Sequence, residues 1–115
     1  MSLAELGRHE GPDAFAVGVA RDGELVSVGF IAPDLAEPGS WRIRGMASAP
    51  ESRGRGYGAA VLDALVAHAR QRGATRIWCN ARIGARTLYE RAGFRVVSDV
   101  FELPEIGPHY VMELS

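Results

Sequence analysis

The stretch SRGRGYGAA, residues 52–60, constrains this chain more than any other. Gly54, Gly56 and Gly58 alternate there with Arg53, Arg55 and Tyr57, between an alternating segment, WRIRGMAS, and an apolar stripe at helical spacing. Glycines at that density let a backbone take positive φ and come close to something. In AAVLDALVAHARQRG, residues Val61, Leu62, Leu65, Val66 and Ala69 repeat with the helical period. Arg70 and Arg72 suit the dipole of a last turn, and Gly73 is placed to end the helix. Strand, glycine loop and helix in that order present unpaired backbone N–H groups at a helix start, where the dipole is worth about half a positive charge.

The remaining segments fit around this unit. FAVGVARDGELVSVGFIAP predicts a β-hairpin, with Asp22-Gly23 as its turn. APDLAEPGS is a surface loop, and WRIRGMA alternates with a slip at Gly45 that a β-bulge would produce. TRIWCNA is the next strand, ARTLYERA a short helix ending at Gly93, and FRVVSDVFEL and HYVMEL are two last strands joined by PEIGP. The expected order is β-β-β-α-β-α-β-β, an α/β (α+β) fold with two main helices. Its strand–helix–strand crossover implies one parallel pair in a single mixed, mostly antiparallel sheet.

At 115 residues the chain is one domain with one core, spanning residues 1–115. No apolar run reaches the roughly 20 residues that cross a bilayer, and the start lacks the pattern of a signal peptide. The expectation is a cytoplasmic protein with no membrane partner. Cys79 is alone, so it reads as a buried reduced thiol. Eleven arginines lie between Arg42 and Arg95 against Glu51, Asp63 and Glu90, while both ends are acidic. That segregation suits an anionic ligand on the middle of the chain, or acidic ends folding back on a basic centre. Charge alone does not separate the two.

Several anion-binding loops compete for the glycine stretch. A P-loop needs Lys-Ser/Thr after its last glycine, and Ala59-Ala60 stands there. A dinucleotide loop fits at Gly54, Gly56 and Ala59, but TRIWCNAR offers no acid for a ribose. Arginine–glycine segments that bind nucleic acid are disordered, whereas folded elements frame this one. The fit is best to R-x-x-G-x-G, running from Arg53 to Gly58. This resembles the pyrophosphate loop of the GNAT-type N-acyltransferases. A second motif follows in the right place: ARTLYERAGF, with Ala85, Leu88, Tyr89, Gly93 and Phe94, is similar to that family's A-x-x-L-Y-x-x-x-G-F. The likeness covers roughly residues 14–114.

The resemblance implies an N-acetyltransferase that passes an acetyl group from acetyl-CoA to a primary amine, a small molecule or a protein N-terminus, by direct attack. No metal is implied, nor any nucleic acid. Arg53, Gly54, Arg55, Gly56, Tyr57 and Gly58 would hold the diphosphate. Met46, Ala47 and Ser48 would bond the pantetheine arm through their backbone, and a backbone N–H there would polarise the thioester carbonyl. Tyr89 matches the tyrosine near the coenzyme sulfur. A free phenol has a pKa of about 10 and a thiol about 8.5, so a hydrogen bond to the leaving sulfur suits it better than full proton transfer. For the base, WRIRGMAS contains no acid, and His109 stands as the best choice beside Glu51 or a water chain.

Two departures stand out. An asparagine that touches the coenzyme in many relatives is Arg82 here, and Arg82 could meet a phosphate or pantetheine oxygen instead. The family's usual first strand and acceptor-site helices find no counterpart in residues 1–13, which predicts an exposed sheet edge and a homodimer formed through it. A non-catalytic acyl-CoA-binding module of the same fold is the alternative reading, and a nucleic-acid binder on the arginine-rich middle is the third.

Overall fold

The expected hairpin forms from β2 (Phe15–Arg21) and β3 (Glu24–Pro33), turning at Asp22 and Gly23, whose φ angles are 52° and 82°. The structure, a computed structural model, describes residues 2–6, 14–49, 54 and 56–114. β4 (Ser40–Ser48) follows, then α1 (Tyr57–Gln71), β5 (Arg76–Arg82), a 3₁₀ turn (Ile83–Ala85) and α2 (Arg86–Arg91). β6 (Arg95–Val96), β7 (Phe101–Leu103) and β8 (Gly107–Leu114) complete the chain. With β1 (Ser2–Leu6) these make one eight-stranded sheet in the order β1-β2-β3-β4-β5-β8-β6, with β7 also paired to β8. β4 and β5 are its parallel pair, so the fold class is the mixed, mostly antiparallel sheet with two helices that the sequence predicts.

Two details differ. A first strand is present: β1 pairs antiparallel with β2, from Ser2↔Ala20 to Leu6↔Ala16. Its five residues are too few for alternation to flag, and Leu3 stays about half exposed, so the strand rests on backbone pairing. The edge predicted on β2 therefore belongs to β1. The segment FRVVSDVFEL is not one strand but β6 and β7. Ser98 breaks it, because its hydroxyl accepts the Val111 N–H at 2.8 Å where a continuous ladder would offer a carbonyl.

Both helices lie on one face. Val61, Leu62, Leu65 and Ala69 of α1 pack with Val17, Val19, Ile31, Trp41, Ile43, Ile77, Cys79 and Met112 in a single core. Gly29 lets α1 seat closely, since a Cβ there would meet Met46 Sδ at 2.6 Å and Val61 Cγ1 at 2.7 Å. Each helix ends in a Schellman motif: Ala74 N–H donates to the Ala69 carbonyl, and Phe94 N–H to that of Tyr89. On the opposite face a row runs across the sheet from Ala32 through Arg42, Trp78 and Glu113 to Arg95, and no helix among the described residues covers it. No helix among them is long and apolar enough to cross a membrane.

Candidate active site

The slip read at Gly45 is a bulge: Phe30 pairs with Gly45 but Ile31 with Ile43, leaving Arg44 as the extra residue of β4. Just there β4 leaves its parallel neighbour. The two strands pair at Ser40↔Arg76, Trp41↔Ile77, Arg42↔Trp78 and Ile43↔Cys79, and no further. Beyond this point β4 stays bound to β3 while β5 stays bound to β8. Alternate backbone N–H and C=O groups of residues 45–48 consequently face the opening rather than a ladder. Met46 lies on the helix side of this stretch, Ala47 is exposed on the other, and Ser48 Oγ shares a 2.8 Å hydrogen bond with Ser27 Oγ.

From Ser48 the chain runs toward α1. Gly54 and Gly56 both take left-handed backbone, with φ 81° and 82°, and a Cβ on either would meet nothing within 4 Å. Gly56 is the helix N-cap, makes no side-chain cap hydrogen bond, and no acid occupies the first turn. The carbonyl of Gly56 takes the Ala60 N–H at 3.0 Å, so the preceding N–H groups point outward without a capping side chain. Tyr57 is half-buried against the core, and Gly58 lies between Ser48 and Leu88. This open, uncapped helix start beside two positive-φ glycines suits a diphosphate. Arg53, Arg55 and Glu51 lie outside the described residues.

Tyr89 is 5% exposed, packs edge-on to Phe94 with ring centroids 5.4 Å apart, and sets its hydroxyl beside the thiol of Cys79. Cys79 is the last residue of β5 to pair with β4, so the phenol reaches the apex of the opening. Burial pushes the Cys79 thiol up to about 12, against the pull of Tyr89 and Arg42. Burial, and then Cys79, likewise raise Tyr89 above the usual phenol range. Both side chains are neutral at physiological pH, and Tyr89 acts as a hydrogen-bond donor or acceptor rather than as a phenolate.

His109 and Arg82 are cross-strand neighbours on β8 and β5. Arg82 is exposed and next in line after buried Ala81, so it projects to the face away from both helices and from the start of α1. His109 is 4% exposed and donates from Nδ1 to the Gly107 carbonyl at 2.8 Å. It belongs to the opposite face from Tyr89, three residues beyond the apex along the strands, a run of roughly 10 Å. The structure therefore gathers Met46, Ser48, Gly56, Gly58 and Tyr89 around one opening and leaves Arg82 and His109 at its far side. Sequence reading passed over Cys79 and Arg42 as site residues; their signal lies in strand register, which shows them flanking the apex only once β4 and β5 are paired.

A sheet that splays at a bulged strand, an uncapped glycine-rich helix start and a tyrosine at the apex define an acyltransferase fold of one kind. The chain belongs to the acetyltransferase (GNAT) family, whose family model matches residues 2–94. It is 31% identical over 103 residues to the Bacillus subtilis (strain 168) protein described as uncharacterized N-acetyltransferase YitI, covering 86% of this chain and 69% of that protein. Among solved structures, Escherichia coli ElaA superposes with a TM-score of 0.80 at 20% identity, covering 91% of this chain and 70% of the other. A GCN5-related N-acetyltransferase from Kribbella flavida gives 0.76 at 24% identity, covering 93% and 70%. At these identities the structural likeness speaks for the fold.

Proposed function

We propose that the chain transfers an acetyl group from acetyl-CoA to a primary amine, with the coenzyme's diphosphate on the glycine-rich start of α1 and its pantetheine arm in the opening between β4 and β5. The observation that carries this reading is the meeting of three features on one path: free β4 backbone after Ile43, the uncapped N-terminus of α1, and the Tyr89 hydroxyl at the apex. When bound, the coenzyme supplies an activated thioester. The chain's part is to hold it by backbone N–H groups of residues 45–48 and 56–58, keep water off one side with Tyr89, Leu88 and Met46, and donate a hydrogen bond from Tyr89 to the departing sulfur. The amine nitrogen forms the new bond to the acyl carbon as the carbon–sulfur bond breaks. The proton lost by the amine passes to water or to His109 Nε2 through water, since no carboxylate of β4 borders the opening. Arg53 and Arg55, in the sequence of the same loop, add positive charge for the anionic coenzyme, whereas Arg82 faces away from the start of α1.

Calorimetric titration of acetyl-CoA, followed by thiol release with a panel of amines, tests this directly. Binding together with amine-dependent release supports the transferase. Binding with no release on any amine favours the acyl-CoA-binding module, and no binding overturns the reading. Cytoplasmic location and a homodimer paired through the edge of β1 complete the proposal; sedimentation of the whole chain tests the latter.

A further inference from the structure

On the face without helices, Trp78 lies between two guanidinium groups. Arg42 stands 4.9 Å from its ring centroid and Arg76 5.4 Å. The Trp78 indole N–H donates to Asp34 Oδ2 at 3.3 Å. Arg76 is answered: its Nε donates to Glu113 at 2.8 Å, and the same carboxylate takes Arg95 at 3.3 Å. Arg42 is different. Its Nε is shielded from solvent and has no hydrogen-bond partner among the described residues. A buried donor left unmet is destabilising, so the arrangement calls for an acceptor that the chain's own described residues do not supply.

The place of Arg42 gives that demand a meaning. Arg42↔Trp78 is the pair directly before Ile43↔Cys79, where β4 and β5 part and where Tyr89 reaches in from the other side. The helix side of this apex is filled by Tyr89, Leu88 and α1. An amine bound for the apex must therefore arrive over Trp78 and Arg42.

We infer that the acceptor is a small amine that carries a carboxylate, of amino-acid type, with the carboxylate taken by the Nε–Nη edge of Arg42 and the rest of the molecule resting on the Trp78 ring. This rests on the transferase reading above. A modest swing of the guanidinium off the indole presents two parallel N–H donors, which match the two oxygens of a carboxylate and fix its orientation. The neighbouring Asp34 and Glu113 keep the patch from being a general polyanion surface: they answer Trp78, Arg76 and Arg95 and leave one guanidinium at the apex unanswered. A nucleic-acid backbone needs a run of free cations; a single carboxylate needs one fork.

The test compares matched ligands on the whole chain. Phenylalanine, phenylalaninamide and phenethylamine are offered as acceptors with acetyl-CoA, and N-acetylphenylalanine and its amide are titrated in the presence of CoA by tryptophan fluorescence. The expected result is at least a tenfold advantage in kcat/KM for the acid over the amide, carried by KM. A matching binding preference for N-acetylphenylalanine is expected, with both differences abolished in Arg42→Gln and only partly kept in Arg42→Lys. Comparison of the ligands on the unaltered chain stands even where a variant folds poorly. Turnover of the amide or phenethylamine as well as the acid overturns the inference while the transferase stands. Carboxylate-dependent, Arg42-dependent binding without turnover of any amine supports the anion site and overturns the transferase reading. Equal binding of acid and amide without turnover sinks both.

Discussion

The hydroxyl of Tyr89 lies beside the thiol of Cys79, the last residue of β5 still paired with β4. One contact thus ties α2 to the point where the sheet opens. It holds a neutral phenol at the apex, on the side of the sheet opposite the Arg42 guanidinium.

Tyr89→Phe removes the donor and keeps the ring against Phe94. General acid–base assistance is typically worth about 10²–10⁴-fold, and a hydrogen bond to sulfur without full proton transfer falls at the low end. The expected outcome is a kcat lower by roughly 10–100-fold, with acetyl-CoA affinity changed less than threefold. Steady-state kinetics beside calorimetry checks both. An equal loss of affinity would assign Tyr89 to packing alone.

The same pair fixes an alkaline limit of stability. Burial raises the Cys79 thiol from 9.0 to about 12 and lifts Tyr89 above its usual range. A folded chain that keeps protons the unfolded chain has released binds more of them, so its stability falls with rising pH. The contribution of Cys79 is whole below pH 9.0 and is lost progressively as pH rises toward about 12. Urea unfolding between pH 8 and 11 should show this decline, and Cys79→Ala should flatten it even if the variant starts less stable. A slope unchanged in Cys79→Ala would remove the thiol from the account.

How far the sequence reaches is visible in these residues. The helical stripe of α1, the Asp22-Gly23 turn, the bulge near Gly45 and the parallel crossover were all readable, because period and turn chemistry are local signals. β1 was not, since five residues with one exposed leucine carry no pattern and the strand exists by pairing to β2. The break at Ser98 was hidden as well, because it depends on a hydroxyl replacing a carbonyl opposite Val111. For the site, the glycine loop and Tyr89 came from motif spacing. The places of Cys79 and Arg42 at the apex depend on which residues face each other across β4 and β5, and register between distant strands is a tertiary fact.

Gly29 sets the distance between α1 and the sheet, and Gly29→Ala should show it. The added methyl would meet Met46 Sδ, Val61 Cγ1 and, at 3.1 Å, Leu65 Cδ1. Overpacking of a filled core typically costs about 1–3 kcal/mol. A lowered thermal midpoint is expected, with a weaker grip on acetyl-CoA as well, because Met46 borders the opening. A neutral melt would mean that α1 rides over the sheet more loosely than its contacts indicate.

Gly56 separates the shape of the loop from its charge. Its φ of 82° is left-handed, so any L side chain there carries strain of roughly 1–2 kcal/mol. Nothing lies within 4 Å of a Cβ at this position, so alanine and glutamate bring the same backbone cost and no clash. Asparagine tolerates this region better and should melt closest to the unaltered chain. Gly56→Ala and Gly56→Glu should therefore melt together, below Gly56→Asn. They should part in calorimetry: the carboxylate of Gly56→Glu sits where the diphosphate is proposed to bind, and a further loss of at least tenfold in acetyl-CoA affinity is expected relative to Gly56→Ala. Raising the ionic strength should narrow that gap, because screening weakens exposed like-charge repulsion. Equal affinities for the two variants would show that Gly56 serves only to turn the chain into α1, and the diphosphate would have to be sought elsewhere.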